Sequence, residues 1–459
     1  MKLLVMLLAV LSGSAAAADW PMWRHDAGRT AFSPEELPAQ LHPHWIRQYS
    51  QREPVWDDAL NQDLMPLDRV FEPIVLGDTL YMGFNDRDKV VALDMRTGEQ
   101  KWAFYADGPV RLPLAGGRNR LYFTSDDGYL YCLAADTGAL RWKFRGGPAD
   151  RKILGNKRLI SSWPARGGVV LYGDAVYFAA SIWPFMGTFV YALDAESGSV
   201  IWRNEGTGAE YQNQPHNSPA FAGVAPQGAM VALADRLLIS GGRSVPACFD
   251  RHTGKLLYYR LAENGKTGGA FVAADERHFF NHSRERETDL YDLQSGKVVV
   301  RRAGRYPVLA GDDYYTSGDS IGIRDAREPA KPQFTLKLDA MGDLIRAGSR
   351  LYAGGDGQIA AVDLLSNPEP STRGLKTAWV RKVEGKVERL VAANGMLFAV
   401  TLDGKLIAFG KDRVPVKTHL ETAVAPKVPR RGVAQARAIL EHTGARNGYA
   451  LVYGAGNGD

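Results

Sequence analysis

The chain predicts an all-β fold: an eight-bladed β-propeller of four-stranded antiparallel blades, closed by an N-terminal strand and followed by a short αβ segment. Three observations predict it. A strand–turn–strand pattern recurs along the chain. Each copy is preceded by a second apolar strand. The two ends of the repeat region are incomplete in complementary ways.

The clearest copy is Val90 to Phe104, VVALDMRTGEQKWAF. Its apolar opening, Val90 to Leu93, suits a strand buried on both faces. Asp94, Thr97 and Gly98 then break the run. Asp and Thr bond turn backbone with their side chains, and Gly accepts positive φ without a Cβ clash. Trp102 follows on the returning strand. The pattern returns in LYCLAADTGALRWKF (Gly138, Trp142), VYALDAESGSVIWRN (Gly198, Trp202), PACFDRHTGKLLYYR (Gly254, Tyr258) and TDLYDLQSGKVVVRR (Gly296, Val300). These glycines lie 40 to 60 residues apart, the period of a four-stranded blade. Weaker copies at Asp325 and Asp363 carry Pro329 and Asn367 in the glycine position. The preceding strands, from DTLYMGF to NGMLFAV, number eight. One hairpin cannot bury its own faces, so the copies must pack on each other.

The ends follow from the same logic. Leu41 to Tyr49, with Trp45, reads as a returning strand without partners before it. The last unit, NGMLFAVTLDGKLIAFGKDR, lacks that strand. Joining the two removes the exposed edges that a propeller must avoid.

Outside the repeats, residues 1–18 read as a secretory signal peptide. One Lys precedes an apolar core, Leu3 to Leu11, and an Ala-x-Ala site follows, with cleavage expected after Ala18. No cysteine stands there to carry a lipid, and no later run is long and apolar enough to span a membrane. Residues 19–40 form an arm, 41–410 the propeller and 411–431 a Pro- and Lys-rich linker. Residues 432–459 read as the start of a truncated Rossmann-like domain. Ala434 to His442 has helical spacing and ends at Gly444. Tyr449 to Tyr453 is a short strand, and Gly454, Gly456 and Gly458 make a glycine-rich turn that brings backbone close to a nucleotide.

Composition narrows the function classes. The net charge is +5, with Lys and Arg scattered rather than striped, which argues against nucleic acid as a partner. Cys132 and Cys248 fall on inner strands of different blades and read as buried thiols. No Cys-x-x-Cys-His is present to attach haem. A monomer is expected.

Candidate binding residues come from irregular insertions: Arg151 to Gly168, Ser181 to Phe189, Gly206 to Gly228 and the stretch from Gly241. Long loops in a fold of short turns carry function. They gather Trp163, Arg166, Trp183, Gln214, His216, Asn217, Gln227 and Arg243. Aromatic planes, polar groups and two guanidinium groups suit a flat or anionic small molecule.

The Leu-Tyr strand, Ala-Leu-Asp-x-x-Thr-Gly turn and Trp resemble the pyrroloquinoline quinone (PQQ) enzyme family, the quinoprotein alcohol-dehydrogenase-like propellers, over about residues 40 to 410. The resemblance implies that Trp102, Trp142 and Trp202, with Gly98, Gly138 and Gly198, dock neighbouring blades. It implies fold more than function, because many members bind no quinone. Outer-membrane assembly propeller lipoproteins share the repeat, but this chain lacks their lipidated cysteine. The family's dehydrogenases have an adjacent cysteine pair, an Asp base, and a Glu and Asn on calcium. Here no Cys-Cys exists, and Glu205 and Glu210 have no distinguishing spacing, so PQQ with calcium lacks that support. The final glycine turn resembles the first motif of S-adenosylmethionine methyltransferases, which would hold that cofactor only if the chain continues. The functional expectation is a secreted, periplasmic binding or scaffolding module, the front part of a larger multidomain protein. Its partner would be an unidentified small molecule or protein. The alternative is a PQQ-dependent oxidoreductase.

Overall fold

The computed structural model describes residues 18–56, 64–207, 210–213, 217–241, 244–261, 267–283, 287–365, 374–421 and 430–444. Two units are distinguished, Met1–His419 and Leu420–Asp459.

The first unit is a β-propeller built almost wholly from antiparallel strands. Six four-stranded sheets follow one another. The first contains Ile74–Leu76, Thr79–Phe84, Lys89–Asp94 and Gln100–Tyr105, and the later ones repeat this meander. The two middle strands carry the burial: Thr79–Phe84 is buried throughout, whereas Gln100–Tyr105 is largely exposed. The turn between Lys89–Asp94 and Gln100–Tyr105 forms as its residues dictate. Asp94 Oδ1 accepts the Arg96 and Thr97 amides at 3.0 and 2.8 Å, and Gly98 has φ +73°.

The aromatic residue of each copy lies on the turn glycine of the next. Trp102 covers Gly138, where a Cβ would come within 2.6 Å of the indole, and its Nε1 donates to Ala135 O at 3.0 Å. Trp142 covers Gly198 and donates to Glu196 O, and Trp202 covers Gly254 and donates to Arg251 O. Tyr258 repeats the contact, its ring on Gly296 and its hydroxyl donating to Leu293 O at 2.7 Å. Any side chain at these glycines would displace the ring, which is the physical reason for glycine there.

Differences from the expected blades gather at the end of the repeat region. An eight-stranded sheet runs in the order Phe32–Ser33, Asp343–Ala347, Arg350–Leu365, Gly374–Ala393, Met396–Thr401, Lys405–Gly410, His42–Gln48, Lys417–Leu420. Its two long strands, of 16 and 20 residues, join what the sequence divides into a seventh and an eighth blade. They pair across Asp356 and Lys386, beside Gly357 and Gly385, which both have positive φ. His42–Gln48 pairs antiparallel with Lys405–Gly410. Trp45, 1% exposed, covers Gly98 of the first sheet and donates to Met95 O at 3.0 Å. One apolar cluster therefore contains residues of the first sheet, such as Leu80 and Val91, together with Phe398 and Ile407.

Two further segments differ from expectation. The insertions contain hairpins rather than plain loops: Lys152–Gly155 pairs with Arg158–Ser161, and Glu210–Asn213 with Pro219–Ala222. Within the expected linker, Lys417–Leu420 is a strand. Lys417 reaches Glu99 at 2.6 Å and the His419 ring meets Trp45 edge-on, so partners override a composition that reads as flexible.

The arm touches each four-stranded sheet and the eight-stranded sheet. Trp20 pairs with Val75, and Pro21 O accepts from Gly116. The Ala27, Gly28, Thr30 and Ala31 carbonyls accept from Ala232, Ala274, Leu309 and Arg346. The guanidinium of Arg29 donates to Val169 O and Met230 O at 2.8 and 2.9 Å. These partners belong to the first strands of successive sheets, the strands nearest the propeller axis.

In the second unit, Arg430–Thr443 is an α-helix, longer at its start than the expected Ala434 to His442. Gly444, with φ +64°, closes it through its amide to Leu440 O. The expected strand Tyr449 to Tyr453 and the glycines Gly454, Gly456 and Gly458 lie outside the described residues. Cys132 and Cys248 are buried free thiols. Among the described residues no helix is long and apolar enough to cross a membrane.

Candidate functional site

The polar centre of the propeller is built by residues 51–56 and 64–72, which precede the first sheet. Arg52 is buried among carbonyls: its Nε donates to Asp68 O and its Nη1 to Gly83 O, at 3.0 and 2.7 Å. Burial lowers its pKa to about 10. Asp68 accepts the Val55 amide at 2.8 Å, Asn85 Nδ2 at 2.9 Å and Arg111 Nη1 at 2.6 Å.

From Asp68 a chain of buried charge crosses three sheets. Arg111 Nε reaches Asp126 Oδ2 at 2.6 Å. Asp126 in turn receives Arg166 side-on, Nε to Oδ1 at 2.7 Å and Nη2 to Oδ2 at 2.8 Å. Burial opposes ionisation of Asp126, but Arg166 and Arg111 more than offset it and hold its carboxyl below the usual range. Arg166 Nη2 also donates to Asn156 Oδ1 at 2.9 Å, and the guanidinium lies 6.0 Å from the Trp56 ring. Its Nη1 is buried without a hydrogen-bond partner. Trp56 Nε1 donates to Gln227 Oε1 at 2.9 Å, which brings in the fourth sheet. Beside this chain opens a cleft of roughly 920 Å³, lined among others by Trp56, Asn85, Arg111, Asn156 and Arg158.

A second cluster lies between this segment and the arm. Arg24 donates to Asp343 at 3.1 Å, and its guanidinium stands within 6.0 Å of the rings of Trp23, Phe271 and Tyr306. Phe271 stacks on His282 with centroids 5.0 Å apart. Arg389 Nε contacts both oxygens of Glu72 at 2.7 Å. Burial pushes the Glu72 carboxyl up to about 7, with Arg389 pulling the other way. The enclosed space among Trp23, Glu72, Phe271, Tyr306 and Arg389 is about 40 Å³, enough for a few waters.

The expected pocket residues separate into groups. Arg166 and Gln227 come together on Trp56. Trp163 and Trp183 meet the turn Pro184–Met186 instead: Trp163 Nε1 donates to Met186 O at 3.0 Å, and Trp183, 47% exposed, stacks on Phe185. Asn217 is exposed. Gln214, His216 and Arg243 lie outside the described residues. Trp56, Asp68, Arg111 and Asp126 were not anticipated. The signal for two of them was present: Arg111 and Asp126 are charges set inside apolar runs, VRLPL and YFTSDDGYLY, and such charges need buried partners.

A family model described as outer membrane protein assembly factor BamB matches residues 43–302. The match covers more than half of the chain, and the chain belongs to this family of PQQ-type repeat propellers. Tetrathionate hydrolase of Acidithiobacillus ferrooxidans is 25% identical over 223 residues, 46% of this chain and 40% of that protein. The dehydrogenase subunit of the quinone alcohol dehydrogenase of Gluconobacter oxydans is 29% identical over 146 residues, 28% of this chain and 18% of the subunit. The chain thus matches less than half the length of either relative. Among solved structures, the quinohemoprotein alcohol dehydrogenase of Comamonas testosteroni has a TM-score of 0.59 at 13% identity, covering 90% of this chain and 84% of that one. BamB of Moraxella catarrhalis has 0.50 at 15% identity, covering 81% and 100%. These structural likenesses establish the fold. The family match stops short of the C-terminal segment, so the methyltransferase resemblance gains nothing from it.

Proposed function

We propose that the chain is an exported, non-catalytic binding module: an eight-bladed ring closed by the strand at Trp45, acting as the front part of a larger protein on the periplasmic side. The merged sheet would count as two blades bent at Gly357 and Gly385. The ligand would be a small carboxylate-bearing or otherwise anionic molecule in the cleft beside Trp56. The observation that carries this reading is the lining of that cleft: Arg52, Arg69, Arg111, Lys157 and Arg158 stand around Trp56, against the two acids Glu53 and Asp86. Guanidinium groups beside an aromatic plane suit an anionic acceptor, which charge-assisted hydrogen bonds would hold.

The relatives' names raise a quinone held with calcium. The residues present do not fit that group. Calcium takes about six to eight oxygen ligands, yet Asp68, Asp126, Glu72 and Asp343 are each turned onto a guanidinium.

The test is a titration of the full chain, read by thermal midpoint and by tryptophan fluorescence compared with Trp56→Phe. Citrate and phosphate serve as anionic probes, glucose as a neutral control, and PQQ with and without calcium as the quinone probe. A midpoint raised by the anions, with a fluorescence change lost in Trp56→Phe, supports the reading. No response to any anion overturns it. Dye reduction with PQQ and calcium overturns it in favour of an oxidoreductase.

A further inference from the structure

The beginning of the arm lies against a buried carboxylate with no cation beside it. Glu35 is 4% exposed. It accepts the Asn394 amide at 2.7 Å and the Gly395 amide as well. Both amides belong to the turn after the strand Gly374–Ala393. Ala18 comes to the same place. Its carbonyl accepts from Asn394 N–H at 3.2 Å, and its backbone is bonded to the Glu35 carboxylate. Asp19 fixes the chain beyond, accepting from Gly77 N–H at 2.7 Å and Asn394 Nδ2 at 3.2 Å.

Every other buried carboxylate at the axis described above faces a guanidinium. Glu35 has none: among the described residues no Lys, Arg or His forms an ion pair with it, and the charge that acts on it, Asp19, has the same sign. A buried ion without a counter-charge is strongly unfavourable. Burial accordingly pushes its carboxyl up, the amides of Gly395, Asn394 and Ala18 pull it back, and Asp19 pushes it further up.

The sequence holds the missing charge in latent form. Ala15 to Ala18 is a run of four alanines behind the apolar core of the leader, so the small-x-small rule permits cleavage after Ala17 as well as after Ala18. We propose that the leader is removed between Ala17 and Ala18, and that the α-ammonium so created pairs with Glu35 and locks the arm into the ring. Water hydrolyses the peptide bond: the Ala17 carbonyl carbon takes the hydroxyl, and the Ala18 nitrogen takes the proton. An α-amine with an ordinary pKa of about 7.7–8 is then mostly charged at neutral pH. Cleavage after Ala18 would remove the carbonyl that Asn394 bonds and shift the ammonium one residue along. The structure thus selects one of several sites that the small-x-small rule allows in Ser12 to Ala18.

The inference rests on export with leader removal. The full chain is exported with its own leader and read by intact mass and N-terminal sequencing. A mature chain beginning at Ala18 is expected. One beginning at Asp19 overturns the inference and leaves the export reading standing, and one retaining Met1 overturns both. The ion pair is tested separately by Glu35→Gln in two chains beginning at Ala18, one with a free amine and one N-terminally acetylated. The expected result is a thermal midpoint lowered by about 2 °C or more in the free-amine chain and a smaller change in the acetylated one. Equal shifts in the two chains overturn the pairing.

Discussion

At the outer turns, Trp102, Trp142 and Trp202 each lie on the glycine of the next sheet and donate one hydrogen bond to a carbonyl there. At the axis, Arg111, Arg166, Arg24 and Arg389 are buried against Asp68, Asp126, Asp343 and Glu72. The outer contact is apolar, repeated and made between residues at fixed offsets in the repeat. The axial contact is ionic, singular and made by residues contributed from every part of the first unit. The two regions divide the work of the fold. Repetition holds neighbouring sheets together wherever they occur, while the axis ties one particular arm and one particular segment to the set of sheets. Paired buried ions add less net stability than apolar packing, but breaking one partner leaves an uncompensated charge. The axis is therefore the more fragile region under single substitutions.

The comparison is broken most severely by removing the residues that serve both regions. Deleting residues 19–50 takes away the arm and the strand that carries Trp45, and frees the edge of Lys405–Gly410. Loss of soluble monomer in gel filtration is expected; a soluble deletion variant of unchanged stability would refute the tie between arm and ring. Next comes Asp126→Ala, which strands Arg111 and Arg166. It should cost about 3–5 kcal/mol in denaturant unfolding; a cost below about 1 kcal/mol would show that the axial ions are not desolvated.

The outer region predicts a gradient of its own. Trp45, 1% exposed, should cost about 3–5 kcal/mol when replaced by Ala. Trp142 is only half-buried, so Trp142→Ala should cost about 2 kcal/mol, below the value for a fully buried aromatic ring. Equal costs at the two positions would mean that the strand at Trp45 is just another repeat contact. The smallest expected effect is one of pH. Glu72 has its folded-state pKa raised to about 7 from 4.5. The native state therefore binds the proton more tightly between these values, and this contribution is complete below about pH 4.5 and lost as pH rises through 7. Unfolding between pH 5 and 8 should show a loss of about 2 kcal/mol that Glu72→Gln abolishes. An unchanged pH slope in that variant would place the titration elsewhere, with Arg389, Asp343 and Arg52 as its charged neighbours.

How much of this was legible follows from distance along the chain. The Asp-x-x-Thr-Gly turn at Asp94 could be read because its donors and acceptors lie within four residues, and the returning Trp102 because it follows at a constant offset. Residue type likewise marked Arg166 and Gln227 as polar groups in insertions. Their meeting point could not be read. Trp56 and Gln227 stand 171 residues apart, and Asn156 and Val55 stand 101 apart. Nothing in the local pattern of any of these residues specifies the others. The same holds for Trp163 and Trp183, whose aromatic character was plain but whose neighbour, the turn Pro184–Met186, was not.

By itself the sequence determined the repeat, its turns and the incomplete ends, because each is set by backbone propensities and burial periods acting over a few residues. Tertiary structure alone decided the course of the arm across the first strands of the larger sheets, the partners of the buried guanidinium groups, and the merging of the last strands into one sheet. These depend on which first strands converge at the axis. There, charges taken out of water must find counter-charges wherever the packing of the sheets happens to bring them.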